Sequence, residues 1–248
     1  FGMNIQANQP ASRLTAAETA LVEAFAAQIG ELPGNGAVTG TRDRLLDDLK
    51  KAGLPTRRIE SWHYTDLKTL LRALPDTVPV PVLSAAAPIV SGSPVIASLQ
   101  GVAAKGVTTE GFSVSSFGEA LLDGSAAGGL SELDKDDVIG RINGSFVRDG
   151  FVVDIPANAE IETPIEIQAI HGGGQVHNRF PVRFGAGAKA TIIERHLAAT
   201  EDGAFVSSIS DITLDDGAEV TWVLLQQQGA ADTHLGQLRI RMGADVKL

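Results

Sequence analysis

Four short segments of this chain share one form. Ala159-Glu160-Ile161-Glu162, Ala188-Lys189-Ala190-Thr191, Ala218-Glu219-Val220-Thr221 and Ala244-Asp245-Val246-Lys247 each run alanine, charged, apolar, polar. Each follows Gly or Asn, and their starts lie 29, 30 and 26 residues apart. A repeat of roughly 20–50 residues marks a solenoid, a propeller or an array. Between the repeats lie short runs rich in β-branched residues: Phe151–Ile155, Ile165–Ile167, Ala190–Ile193, Ile209–Leu214, Val220–Leu225 and Leu238–Met242. These read as strands. No helical period intervenes, so coils of parallel strands are favoured over alternating strands and helices. Each coil exposes ladder edges that the next must cover. The chain stops at Leu248 inside the fourth unit, where another strand is expected, which suggests a missing C-terminal part.

Upstream the period changes. Thr15-x-x-Glu18 is a capping box before Leu21, Phe25 and Ile29, with Gly30 as the expected stop. A second helix is expected from about Thr41, with Leu45, Leu46 and Leu49 on one face, ending at Gly53. A third, short one carries Leu67, Leu70, Leu71 and Leu74 and ends at Pro75. Pro75, Pro79, Pro81, Pro88 and Pro94 then forbid helix, and Pro79-Val80-Pro81-Val82 reads as extended, in a linker or edge strand. Residues 95–130 are rich in Gly, Ala and Ser, with a strand expected at Pro94–Leu99 and a helix at Phe117–Leu122. Ser131–Arg148 is expected to be helical, with Asp134, Asp136 and Asp137 at its start. This divides the chain into a helical region (1–75), a Pro/Gly-rich mixed α/β segment (76–140) and the first coils (141–248).

The 248 residues can bury a sizeable core. The net charge of −10 disfavours nucleic acid and acidic membrane surfaces as partners. With no cysteine, the chain has no disulfide, no catalytic thiol and no thiolate for a metal, which fits a cytoplasmic protein. No run approaches the roughly 18 apolar residues that a membrane helix needs. No signal peptide is visible, and Phe1-Gly2 ahead of Met3 reads as a tag remnant.

The aromatic residues are scarce, yet Arg57-Arg58-Ile59-Glu60-Ser61-Trp62-His63-Tyr64-Thr65 holds one of two tryptophans and the only tyrosine. Arg58, Glu60, Trp62, His63, Tyr64 and Thr65 resemble, in order, an Arg-x-Glu-x-Trp-basic-Tyr-Thr signature of the SufB/SufD family of iron–sulfur cluster assembly scaffolds. The resemblance is to its SufD branch, where this motif sits near the N-terminus. Asn143, Phe146, Asp149 and Gly150 resemble the family's Asn-x-x-Phe-x-x-Asp-Gly lead into the first coil. Val153, Ile155, Pro156, Pro164, Ile165, Asn178, Arg179 and Glu194 follow in the expected order.

The resemblance implies a mainly β fold, a right-handed parallel β-helix preceded by an α-helical N-terminal region. It also implies a non-catalytic subunit of a complex with a SufB-like paralogue and a SufC-like ATPase. A homodimer is the alternative assembly. An iron–sulfur cluster would belong to the assembled complex, with none bound by this segment alone. No catalytic, cofactor or metal residue carries over. A carbohydrate-active β-helix enzyme is the rival reading, against which stand the few aromatics and the absence of stacked carboxylates.

Of the five histidines, only His196 has a suggestive neighbour. Glu194 and His196 face the same side of a strand, where a carboxylate and an imidazole could hold a metal or relay a proton. One pair is too few ligands for a metal, so a surface-facing pair on a coil is expected. His171-Gly172-Gly173-Gly174-Gln175-Val176-His177 lacks the Gly-Lys-Ser/Thr of a phosphate loop and reads as a turn between coils. Asp215-Asp216-Gly217 reads as a turn, and Gln226-Gln227-Gln228 as a strand end. In the Trp62 segment an Arg–Glu pair and a Trp–Tyr stack are expected to orient a helix.

Overall fold

A computed structural model describes residues 14–76, 81–105 and 109–248. Phe1 to Met3, Pro79 and Val80 lie outside the described residues, so the readings placed on them are left there. The fold is mainly β, a parallel solenoid of about three turns behind a helical N-terminal region. Two five-stranded sheets build it. Sheet A has the order β2(Val102–Ala103), β1(Val95–Leu99), β5(Ile165–His171), β7(Lys189–Ala198), β9(Glu219–Gln227). Sheet B has the order β10(Thr233–Met242), β8(Ala204–Leu214), β6(Gly174–Phe184), β4(Phe151–Ile155), β3(Ser113–Ser116). From β4 onward the chain alternates between the sheets, and each strand pairs in parallel with the one a coil earlier. Among the described residues only β2 and β3 are antiparallel to their neighbours.

The repeated tetrapeptides are the corners. Asn158, Gly187 and Gly217 are left-handed (φ 58°, 67° and 69°), and the next residue turns inward, with Ala188 and Ala218 fully buried. The charged residues that follow stack as Glu160–Lys189–Glu219–Lys247, bridged at 2.8 Å (Lys189 to Glu160) and 3.1 Å (Lys247 to Glu219). The fourth unit departs from its sequence alignment. Its left-handed residue is Asp245, so Val246, not Ala244, stacks over Ala218. Ala244 lies two residues ahead of the true equivalent, so the interval between corners is 28 residues (246 − 218) and not 26.

The lumen is filled by in-register apolar columns, among them Val153–Val182–Ile212 and Ile155–Phe184–Leu214, which Ile240 and Met242 continue as exposed residues on the last strand. Phe151 stacks on Phe180 with centroids 4.6 Å apart. Fully burying each such side chain contributes about 1.5–3 kcal/mol. Most strands are longer than their β-branched cores suggested. β6 escaped the sequence reading altogether, because its glycines, polar run and Pro181 argue against a central strand. Its ladder with β4 covers only Val182–Phe184 plus a bridge at Arg179, so Pro181 costs little there.

The helices differ in their bounds. α1(Ala16–Gln28) has the expected Thr15–Glu18 capping box, but Ile29–Glu31 continues as a 3-10 turn instead of stopping at Gly30. α2(Gly36–Ala52) starts five residues before Thr41, because the Asn35 side chain accepts from the Ala37 and Val38 amides. It ends as expected at left-handed Gly53. α3(Leu67–Leu70) is a single turn: Leu67 and Leu71 are buried, but Leu70 is 69% exposed. α4(Phe117–Asp123) fits its expectation. α5(Val138–Phe146) begins seven residues late, since the Asp137 carboxylate caps Gly140 and also accepts from the Leu133 amide, tying 133–137 into a turn. The 81–94 segment forms no strand.

The helices cover the outer side of sheet B. Leu21, Phe25, Leu46, Leu49, Ile142 and Phe146 share one core with Phe205 and Leu235 of that sheet. Polar groups set the docking. Buried Asn143 donates to the carbonyls of Asn178 (2.9 Å) and Ser207 (3.2 Å), on two successive coils. Gly150 leaves no room for a side chain, as an added Cβ would sit 2.0 Å from the Arg179 carbonyl oxygen. Buried Arg42 of α2 donates to the carbonyls of Pro33, Gly144, Ser145 and Val147 at 2.8–3.1 Å. It therefore caps the C-terminus of α5 with a positive charge. Burial and the nearby Arg148 lower its pKa to about 10, so it stays charged at neutral pH. Arg42→Ala is expected to cost about 3 kcal/mol in equilibrium unfolding, since buried carbonyls lose a charged donor. Lys, without the guanidinium fork, should restore only part of it.

Candidate functional site

The polar centre of the molecule lies inside the solenoid. On β7, Ile192, Glu194 and His196 alternate with outward residues and face the lumen. Glu194 and His196 are each 2% exposed, which corrects the surface-facing expectation. Their parity with buried Ile192 was the available signal. Glu194 Oε1 lies 2.9 Å from His196 Nε2. Ser210 donates to the same carboxylate at 3.0 Å, and the Trp222 indole donates to its other oxygen at 3.0 Å. The carboxylate is thereby surrounded by donors, as a buried charge requires.

Around this pair the sequence reading missed a histidine cluster. The His196 ring lies against His234, centroids 4.5 Å apart. Gln226 Nε2 donates to His234 Nδ1 at 3.2 Å. His171 Nε2 stands 3.3 Å from Asp232, whose carboxylate accepts from the amides of Ala204 and Gly229. His171 Nε2, His196 Nδ1 and His234 Nε2 are buried without a hydrogen-bond partner among the described residues. These residues span 63 positions of sequence, from His171 to His234, and the coil register brings them together. Burial, then repulsion from His196 and His171, pushes His234 down to about 3. His171 is lowered by burial, with Asp232 opposing and His196 adding to the shift. No hydrogen bond joins the three rings to one another among the described residues; His196 is held by Glu194 and His234 by Gln226. No group of three or more His, Cys, Asp or Glu side chains is disposed to hold a metal ion among the described residues.

A further histidine, His177, faces the helices. It stacks on Phe146 (centroids 4.9 Å) and its Nδ1 lies 2.8 Å from Ser207 Oγ. Burial, then Arg148 and Arg42, lower it to about 3.

The Arg57–Thr65 segment lies elsewhere, after α2. Arg58, Glu60, Tyr64 and Thr65 are exposed, Tyr64 at 93%. Trp62 packs against the helical core and donates through Nε1 to the Asp136 carbonyl at 3.1 Å. Neither the Arg–Glu pair nor the Trp–Tyr stack forms. A single 3-10 turn, Glu60–Trp62, sends Trp62 inward and leaves Tyr64 against His63, ring centroids 5.0 Å apart. Trp62 and Tyr64 instead line a cleft of about 340 Å³ with Asp134, Asp136 and Gln237.

The lead into the coils is built as anchors. Asn143 ties α5 to two coils, Phe146 is buried, and the Asp149 carboxylate accepts from the Ala103 and Gly118 amides and the Ser116 hydroxyl. Arg179 binds Asp211 at 2.8 Å and the Gly129 carbonyl. Gly172 and Gly173 form the reversal from β5 to β6, Asp215–Gly217 a corner, and the glutamine run the end of β9.

These coils match a known family. Residues 167–248 fit the model described as SUF system FeS cluster assembly, SufBD core domain. This stretch is similar to a SufBD core domain. The match supports the SufB/SufD family of iron–sulfur assembly proteins and does not separate SufD from SufB. None of the curated proteins compared matches the chain. Among the described residues no helix is long and apolar enough to cross a membrane. The histidine cluster lies within the matched residues, and the Trp62 segment lies outside them.

Trp62→Ala is expected to lower stability by about 2 kcal/mol, from lost burial and an unpaired carbonyl, and Tyr64→Ala to change it by less than about 0.5 kcal/mol. Paired urea titrations check the contrast. His177 and His234 are neutral when folded but take a proton near 6.5 when unfolded. Their stabilisation is complete above that value and is lost as pH falls toward about 3. Unfolding free energy measured from pH 7.5 to 5 should fall, and a His177→Gln/His234→Gln variant should fall less steeply.

Proposed function

We propose that this chain is a SufD-like scaffold subunit for iron–sulfur cluster assembly, working in the cytoplasm with a SufB-like paralogue and a SufC-like ATPase. The observation that carries this is the SufBD core match over the coils. The Arg58–Thr65 motif ahead of them favours SufD over SufB. In this reading the subunit catalyses no reaction alone. The cluster is cargo of the assembled complex, and the chain binds no cofactor of its own. A solenoid stacked in register moves as a unit, so motion in an ATPase can be passed to a partner contact without deforming the coils. A homodimer in place of the heteromer would use the same scaffold.

The carbohydrate-active alternative has no support. The family match points elsewhere, and the lumenal carboxylate Glu194 is buried and saturated by donors, closed to a polysaccharide.

The test is affinity purification of the full-length protein from its own cells, with mass spectrometry of what accompanies it. A SufC-like ATPase and a SufB-like paralogue are expected in stoichiometric amounts. Recovery of the protein alone as a monomer would overturn the scaffold reading; recovery as a homodimer with the ATPase would replace the heteromer.

A further inference from the structure

The outer face of sheet A buries side chains that a sheet normally turns to water. Glu166 and Gln168 are fully buried there, and Arg195 nearly so. Residues 81–90 lie across them without forming a strand. The hydrogen bonds between the two run from sheet side chains to the main chain of this strap. Gln168 Oε1 accepts from the Ala86 amide at 2.8 Å, and its Nε2 donates to the Ala86 carbonyl at 3.0 Å. Glu166 Oε2 accepts from the Ile89 amide at 2.7 Å, and Arg195 donates to the Ala87 carbonyl at 3.2 Å. Behind this row, Glu166 is held by Arg195 and by Gln168, each at 2.7 Å. Arg195 is itself oriented by Gln227 at 3.0 Å.

The strap's own side chains contribute little. Val82, Ile89 and Val90 are exposed, and only Leu83, Ala86 and Pro88 are half-buried. Reading both main-chain groups of one residue while ignoring its side chain is how extended peptides are recognised. We propose that this face of sheet A is a peptide-reading surface for an extended, proline-bounded, small-residue segment of a partner protein, and that residues 81–90 are its internal occupant.

The seated segment shows what fits. Ala85-Ala86-Ala87 presents bare backbone, and Pro81 and Pro88 hold the chain extended at low entropic cost. Glu166 and Arg195 neutralise each other, so the surface selects main-chain geometry and not charge. Exchange is cheap for a physical reason. Lifting the strap uncovers an ion pair and an amide, which water solvates, and not the apolar lumen. This surface stands apart from the assembly reading and does not depend on it.

The experiment uses a labelled synthetic peptide of residues 81–90 and the full chain, either intact or with 81–90 replaced by a Gly-Ser run of equal length. Fluorescence anisotropy should show saturable binding to the strap-replaced chain. Binding to the intact chain should be at least about tenfold weaker, because the tethered strap competes at high effective concentration. Adding Gln168→Ala to the strap-replaced chain should weaken binding about tenfold, the loss of two hydrogen bonds. A folded strap-replaced chain that does not bind, or binds equally with Gln168→Ala, overturns the proposal. If that chain does not fold, hydrogen exchange on the intact protein decides. The Ala86 and Ile89 amides should exchange at least about a hundredfold faster than the β5 and β7 ladder amides, through local opening. Equal protection overturns the exchangeable strap.

Discussion

The Asn143 side chain couples the two halves of this molecule. Its amide nitrogen reaches the carbonyls of Asn178 and Ser207, which belong to successive coils. A parallel coil cannot slip past its neighbour without breaking one of these bonds. A slip of one residue would also turn every lumenal side chain outward. The same register places Gly150 against the Arg179 backbone and stacks Glu160, Lys189, Glu219 and Lys247 with alternating sign. The charge ladder is exposed and contributes little by itself. Its alternation favours this register over one that opposes like charges.

The two outer faces of the solenoid are covered by different means. Sheet B is closed by helices through an apolar core, and at its rim by a buried network. Arg239 binds Asp137 at 2.8 Å, Arg179 binds Asp211 at 2.8 Å, and Arg239 also donates to the Ser131 carbonyl. Sheet A is covered by a peptide strap through hydrogen bonds. Opening the first exposes Phe146, Phe205 and Leu235; opening the second exposes charges that hydrate well. The difference ranks the two faces by how readily each is uncovered. The lumenal histidine cluster lies between them, isolated from both.

Much of this architecture was legible in the chain. The repeat spacing announced a solenoid, because the corner demands a left-handed residue followed by a small inward one at Asn158, Gly187 and Gly217. It misled only at the fourth corner, where Asp245 takes the left-handed place that Gly243 advertised. The capping residues Thr15 and Asp137 were readable, but Asn35 was not, since the glycines at 36 and 40 lower the apparent helical propensity. β6 was hidden because its glycines, polar run and Pro181 argue against a central strand, while the partners that bury it, such as Phe146 on His177 and Asp211 on Arg179, are distant in sequence. The Glu194–His196 pair was visible from strand parity. Its burial and its neighbours His171, Asp232 and His234 were not, for these meet only through the stacking of coils. The Trp62 motif identified a family resemblance, yet its contact with Asp136 joins segments 74 residues apart.

Through Asn143 and the shared apolar core, helical layer and solenoid form one cooperative body. The two tryptophans report on each: Trp62 on the helical core and Trp222 on the lumen beside Glu194. Fluorine NMR of the 5-fluorotryptophan-labelled chain through a urea titration follows both in one sample, without removing either indole N–H. The account predicts that the two native resonances vanish with a single midpoint and slope. Loss of the Trp62 resonance at clearly lower urea, with that of Trp222 intact, would show that the helices unfold from a standing solenoid. It would contradict the role given to Asn143.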